Sequence, residues 1–384
     1  MALGTLGTNT GIEKVYLREM ITTDFKSLLI PGVVINIDPL SKEEIIFYIN
    51  RTNFNKKEFL TQDFINFKRF IKTETYPSHL DYLNSDCAPD LMRFIKANIN
   101  GSKNKSYYSF LQKIGVENIP ILSNDEIELI NNLSDLLPLV RPDEYLIVEQ
   151  LLNEENINLS ELIGYNNRVN IYTLMNALFH LNKDNIIKNN KLNINHISND
   201  FKEYIRDLIE YGKNRCEIEF GEFDTKFKIY GNYYKSQILK ELLEKSTNFM
   251  KGTKFEKDGS TYCFVGLMKD KTKQERTNYK DKFLSKDIFQ WESENNTTFD
   301  NSTGLKLLNT KIVHLFIRKM DSEDGITLPF TYFGTGVFHN PRKSFVESIE
   351  KNGSVVEKDT ILFDILLDNK VDDEYCFEFE VPVE

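Results

Sequence analysis

The feature that most constrains this chain is a change in the period of its apolar residues near Tyr211–Gly212. Upstream, from Ser41 onward, apolar side chains recur at the spacing that lines one face of a helix. Ser41-Lys42-Glu43-Glu44 has the form of an N-cap with an acidic first turn, leading into Ile45, Ile46, Tyr48 and Ile49. The spacing predicts helices near 56–71, 88–98, 105–114, 124–137, 142–152, 158–164, 169–181 and 198–211. Breaks are expected at Tyr76-Pro77-Ser78, Asn100-Gly101-Ser102, Pro138, Arg141-Pro142 and Gly164, and a short β-type run, Gly32–Asp38, precedes the helices. Downstream, from Glu217, the chain alternates through Ile218, Phe220, Phe223, Phe227 and Ile229 in strand fashion. One helix is expected at Lys235–Ser246, and strands at Tyr262–Met268, Lys311–Arg318, Phe330–Phe338, Ile361–Leu367 and Glu374–Val381. This pattern suggests a curved sheet or small barrel.

A chain of 384 residues exceeds one ordinary core. The expected fold class is α+β multidomain, an N-terminal all-α helical domain over 11–210 followed by a β-rich curved barrel over 211–384. Residues 1–10 lack the basic and apolar segments of a secretory signal and read as an expression scar. No run is apolar enough for a membrane span, so a bacterial cytoplasmic location is expected. Cys87, Cys216, Cys263 and Cys376 are far apart and without a zinc spacing, as expected of buried thiols in a reducing compartment. The net charge of -10 argues against coating nucleic acid non-specifically, because that depends on phosphate neutralisation by an excess of Lys and Arg. Any DNA site must be local.

Catalytic sets are missing. There is no Gly-x-x-x-x-Gly-Lys-Ser/Thr phosphate loop and no Glu-x-Lys tripeptide of the kind many metal-dependent nucleases use. None of His79, His180, His196, His314 and His339 stands in a His-x-Lys or His-x-x-x-His arrangement, and each is expected to be structural. The chain is therefore expected to be no enzyme, with no catalytic residue, metal or cofactor of its own.

Residues 268–304 concentrate the chemistry. Lys269, Lys271, Lys273, Arg276, Lys280, Lys282 and Lys286 are interleaved with Tyr279, Phe283, Phe289 and the only tryptophan, Trp291. Cations beside aromatic rings suit a surface that tracks a nucleic-acid backbone and stacks a base. The same run also fits a solvated loop flanking core aromatics, since Phe289 and Trp291 alternate as on a strand.

Here the residues resemble a family. Tyr279-x-Asp281-x-Phe283, Phe289-x-Trp291-x-Ser293-x-Asn295, Gly304, Leu315-Phe316-x-Arg318 and Phe330-x-Tyr332-x-Gly334 are similar to the C-terminal DUF3427 domain of large bacterial helicases, which often carry a phospholipase-D-type nuclease at the other end. Ile35–Asp38 followed by Ser41–Ile46 resembles the exit from a helicase domain into a linking helical region. The parent resembles ATP-dependent, modification-dependent type IV restriction endonucleases. The resemblance implies an SRA-like (PUA-like) barrel that flips 5-methylcytosine or 5-hydroxymethylcytosine from duplex DNA, joined by a helical coupler to upstream helicase and nuclease domains. ATP and Mg²⁺ would belong to that parent, and a homodimer is one expected assembly.

On that resemblance the modified-base pocket draws on Tyr279, Asp281, Phe289, Trp291, Ser293, Tyr332 and Phe333. Asp281 would accept from the cytosine N4 amino group and the rings would stack. Contacts to the DNA backbone would come from Lys273, Arg276, Lys280, Lys282, Asn295, Thr298 and Arg318. Asp281 has a simpler reading as a partner of Lys280 or Lys282. Glu292 and Glu294 depart from the family pattern, which has glutamines beside the serine: either this loop faces away from phosphate, or the carboxylates read amino groups. A protein-binding adaptor of a helicase and an RNA-binding PUA-like barrel remain as alternatives.

Overall fold

The computed structural model describes residues 57–70, 76–83, 98–99, 101–134, 143–153, 156–158, 187–188, 191–193, 198–221, 226–242, 249–268, 276–277, 279–323, 326–349 and 353–382. The chain divides into two compact units, 1–221 and 222–384. Residues 1–10, the run Gly32–Asp38, the helices expected at 88–98, 158–164 and 169–181, and Cys87 lie outside the described residues, except that Asn98 and Asn158 belong to short strands.

In the first unit the described helices are Lys57–Phe70, His79–Tyr82, Tyr107–Ile114, Asn124–Ser134, Asp143–Asn153 and Asn199–Glu219. They bury one aromatic-rich core that includes Phe64, Tyr82, Tyr107, Phe110, Tyr145, Phe201 and Tyr211. His79 is fixed within it: its backbone N–H and ring Nδ1 both meet Asp207 Oδ2, at 2.7 and 2.6 Å. The expectation of an all-α domain is corrected, because the strand pair Asn98–Ile99 and Ser102–Lys103 and a three-stranded sheet of Asn156–Asn158, Ile187–Lys188 and Lys191–Asn193 are interspersed.

The expected helix end at Tyr211–Gly212 is also corrected, since the last helix runs on to Glu219. Gly212 is there for packing: a Cβ at this position would lie 2.2 Å from the Tyr145 ring. The alternation read from Glu217 to Phe220 is helical, with Phe220 buried and Ile218 exposed.

Elements of the second unit are numbered in chain order: β1 Asn232–Tyr233, α1 Lys235–Glu241, β2 Thr253–Phe255, β3 Ser260–Met268, β4 Arg276–Thr277, β5 Lys282–Phe283, β6 Ile288–Glu292, α2 Ser302–Leu308, β7 Ile312–Met320, β8 Ser322–Glu323, β9 Ile326–Thr327, β10 Phe330–Ile349, β11 Val355–Leu367 and α3 Asp373–Cys376. Nine of the strands form one mixed sheet in the order β5-β6-β11-β10-β7-β3-β2, with β1 and β4 also pairing with β10. Only β3 and β7 run parallel, from Ser260↔Ile312 to Met268↔Met320, and the other described pairs of this sheet are antiparallel.

The central strands are covered on both faces, which explains their near-continuous apolar sequence. On one side Val313, Leu315 and Ile317 pack with Cys263, Val265, Phe333, Phe363 and Ile365. On the other, His314 and Phe316 pack with Tyr262, Phe264, Phe227 and Tyr332. β2 and β5 end the sheet without pairing to each other, so the expected barrel is an open mixed sheet.

β10 continues to Ile349, past the predicted end at Phe338, with a register shift between His339 and Arg342. The strand expected at Glu374–Val381 is the short helix α3 followed by a turn. Cys376, Phe379 and Val381 are buried while Phe377 is 80% exposed, so the apolar alternation there did not mark a sheet face. The expected helix Lys235–Ser246 is observed over Lys235–Glu241, and residues 243–248 lie outside the described ones.

Among the described residues no helix is long and apolar enough to cross a membrane. Cys216, Cys263 and Cys376 are buried thiols that form no disulfide.

Candidate functional site

β5 and β6 form a hairpin with Lys282 opposite Gln290 and Phe283 opposite Phe289. Its turn is held by the Ser285 hydroxyl donating to Asp287 at 2.6 Å. Successive side chains of a strand point to opposite faces. Phe289 and Trp291 therefore enter the core, where Phe289 lies 4.8 Å from Phe283 and Trp291 stacks on Phe338 at 5.2 Å. Gln290 and Glu292 face the other side of β6.

On that other side the segment 279–281 folds over the strand. Gln290 Nε2 donates to the Lys280 carbonyl at 2.7 Å, and Asp281 Oδ1 accepts from the Glu292 backbone N–H at 2.8 Å. Glu292 is only 3% exposed. Its Oε2 accepts from the Lys280 backbone N–H at 2.8 Å, and its Oε1 accepts from the Thr360 hydroxyl at 2.7 Å. A buried carboxylate of this kind persists because hydrogen bonds replace the water it has lost. The half-exposed Lys280 ammonium reaches the Ser344 hydroxyl and the Phe345 carbonyl, both at 2.9 Å, and lies 3.9 Å from Glu292 Oε1. Ser344 and Thr360 are direct partners in the β10–β11 register and both are buried.

Beyond β6 the chain is clasped from both sides. Ser293 Oγ accepts from the Ile361 N–H at 2.8 Å, while the Ser293 N–H donates to the Ile361 carbonyl at 2.9 Å. Glu294 Oε1 accepts from the N–H groups of Gly252 and Thr253 at 2.9 and 3.2 Å. The Tyr279 hydroxyl donates to Asn295 Oδ1 at 3.0 Å. Burial, with the carboxylates of Glu294, Asp281 and Glu292 adding to it, pushes the Tyr279 phenol up to about 12 against the opposing influence of the Asn295 backbone.

Tyr279, Lys280, Asp281, Ser293 and Asn295 are thus brought into one polar cluster, with Lys282 exposed on the adjoining strand. The remaining candidates lie elsewhere. Phe289, Trp291 and Phe333 are at most 4% exposed and packed among core rings. Tyr332 lies in the aromatic layer on the other face of the sheet, where its hydroxyl meets His314 Nδ1 at 2.8 Å. Arg318 pairs with Asp321 at 2.8 Å. The Thr298 carbonyl abuts Gly304, where a Cβ would come within 1.9 Å. Lys273 and the side chain of Arg276 lie outside the described residues.

Glu292 and Glu294 serve the fold directly, one binding 279–281 and β11, the other the entry to β2. Sequence reasoning missed Ser344 and Thr360. The available signal was Ser344-x-Val346-x-Ser348, small hydroxyls on one face of a strand. The cluster combines two carboxylates, an amide, hydroxyls and an ammonium, which suits hydrogen bonding to a polar planar ligand. Among the described residues no group of three or more His, Cys, Asp or Glu is placed to hold a metal ion.

No curated protein matches the chain. Residues 88–191 match a family described as Domain of unknown function (DUF8090). Residues 227–379, from the aromatic layer at Phe227 to Phe379 beside Phe333, match the family described as Domain of unknown function (DUF3427), so the resemblance read from the sequence holds at the level of that domain.

Proposed function

We propose that the second unit recognises modified cytosine in duplex DNA for an ATP-dependent restriction system whose helicase and nuclease domains lie upstream in the parent polypeptide. The observation that carries this reading is the polar cluster of Tyr279, Lys280, Asp281, Glu292 and Asn295 on the face of β6 opposite the core. An extruded cytosine presents an N4 amino donor beside the N3 and O2 acceptors, and this cluster holds carboxylate and amide acceptors beside an ammonium donor. Tyr279 is the ring nearest these groups in sequence, and a stack on it is worth ~1–3 kcal/mol. Lys282 and Lys280 supply charge for the flanking phosphates. The unit acts as a reader of 5-methylcytosine or 5-hydroxymethylcytosine, and the ATP and Mg²⁺ of the parent act elsewhere.

The test is fluorescence anisotropy with the whole chain and labelled duplexes that differ at one cytosine. Tighter binding of the methylated or hydroxymethylated duplex than of the unmodified one, and than of single-stranded RNA, is expected. Equal affinity for all duplexes would overturn the reading.

A second reading, an adaptor that binds protein, is favoured by the packing of Phe289, Trp291 and Phe333 into the interior. It predicts no duplex binding even at low salt and Trp291 emission indifferent to DNA.

A further inference from the structure

Away from the polar cluster, one place gathers positive charge over aromatic rings. Lys235, the first residue of α1, holds its ammonium 4.7 Å from the Phe264 ring centre and 5.7 Å from those of Phe249 and Phe330. It donates to the Lys251 carbonyl at 2.9 Å, and among the described residues no carboxylate lies within ion-pair distance of it. Arg318 of β7 covers the same Phe330 ring, its guanidinium carbon 4.3 Å from the centre. Its Nη2 meets Asp321 at 2.8 Å and its Nη1 meets the Leu328 carbonyl at 3.3 Å, while its buried Nε has no hydrogen-bond partner.

Two cations therefore share one ring, and of the pair only Arg318 has a carboxylate, Asp321, at ion-pair distance. Burial costs a charged group its hydration, and here the local protein groups restore it incompletely. The effect is visible on Lys235: burial first, then the Arg318 charge, push its amine down to about 8 against the opposing pull of Glu294 and Asp321. At neutral pH the amine is still mainly cationic. An anion bound beside it would relieve the repulsion and complete the donor set of Arg318.

We propose that Lys235 and Arg318 form an oxyanion site for a phosphate group, with Phe330 as the shared apolar wall. One phosphate oxygen accepts from Arg318 Nε, the guanidinium nitrogen left without a partner, and a further oxygen takes the lysine point charge. The phosphate is either a free small oxyanion or a phosphodiester of the DNA backbone, and only the second source rests on the function proposed above. Binding weakens as pH rises through the lysine titration. The charged groups facing that lysine are Arg318 on β7, Asp321 after it, and Glu294 from the loop after β6.

The experiment follows the Cε resonances of the whole chain, ¹³C-labelled at lysine, with the Lys235 signal assigned from its absence in Lys235→Arg. Titration with inorganic pyrophosphate at low ionic strength, and separately with an unmodified and a 5-methylcytosine duplex, distinguishes the sources. A saturable shift of the Lys235 signal with pyrophosphate, accompanied by a higher titration midpoint, supports a free-oxyanion site even if no duplex binds. A saturable shift with duplex alone supports the phosphodiester source. Lys235→Gln is expected to weaken whichever ligand binds about tenfold, the value of one charge-assisted hydrogen bond. If neither pyrophosphate nor duplex moves the Lys235 signal saturably, the site is overturned, whatever the polar cluster binds. Because the readout is on the unsubstituted chain, a misfolded variant does not mask the outcome.

Discussion

Glu292 and Thr360 are 68 residues apart in sequence and 2.7 Å apart in the fold, the hydroxyl donating to a carboxylate that has almost no contact with solvent. Removing that carboxylate strands two donors, the Thr360 hydroxyl and the Lys280 backbone N–H. Glu292→Ala is expected to cost about 1–3 kcal/mol per stranded donor, read by urea denaturation. Glu292→Gln keeps one acceptor and should cost less. Both should weaken binding of the modified duplex, because segment 279–281 loses its anchor.

Trp291 reports on the interior. It is the only tryptophan, 4% exposed and stacked on Phe338. Native emission is expected to be blue-shifted and poorly quenched by iodide, moving red on unfolding. Trp291→Ala should cost roughly 3–5 kcal/mol through the cavity it leaves, a loss read as a lower thermal midpoint.

Acid should destabilise the second unit through His314. Burial, with Lys226 adding to it and Asp258 opposing, lowers this imidazole from 6.5 to about 4. A depressed folded value means the neutral form belongs to the fold. Its contribution is present above pH 6.5 and is lost as pH falls through about 4. The full swing is on the order of 3 kcal/mol. His314→Gln should flatten the dependence between those limits, checked by denaturant melts at stepped pH.

Alkali should act through Tyr279 with the same logic and the opposite limb. Its phenol is raised from 10.0 to about 12, so its protonated form stabilises the fold below pH 10 and the benefit disappears as pH rises through about 12. Tyr279→Phe removes that titration, and absorbance near the phenolate band in the folded chain should show one fewer late-titrating tyrosine.

Gly304→Ala sets a Cβ against the Thr298 carbonyl, which is backbone and cannot swing aside. A loss of about 1–3 kcal/mol is expected. Gly212→Ala in the first unit makes a like clash with the Tyr145 ring. Thermal melts of the two variants test both.

The period of the apolar residues carried the broad organisation, because burial on one face is a local property of a helix or strand. It identified the central strands at Tyr262, Lys311, Phe330 and Ile361. It failed where one residue has a non-periodic job. Gly212 looked like a helix end and is a packing contact, and Phe377 looked like a sheet residue and is exposed. In the site, the resemblance put Phe289 and Trp291 in a base pocket, whereas both rings are packed in the core, the competing reading that their strand-like alternation had left open. The partners of Glu292 and Glu294 were not legible, since Thr360 and Gly252 come from distant strands and loops whose register only the folded sheet sets.

β10 belongs at once to the pairing with β7 near Thr331–Gly336 and to the pairing with β11 out to Ile349. Neither half of the sheet can therefore come apart without breaking a strand that the other half holds. The second unit should open as one cooperative block, its deepest amides on both sides of β10 exchanging with solvent at a common, slow rate set by global unfolding.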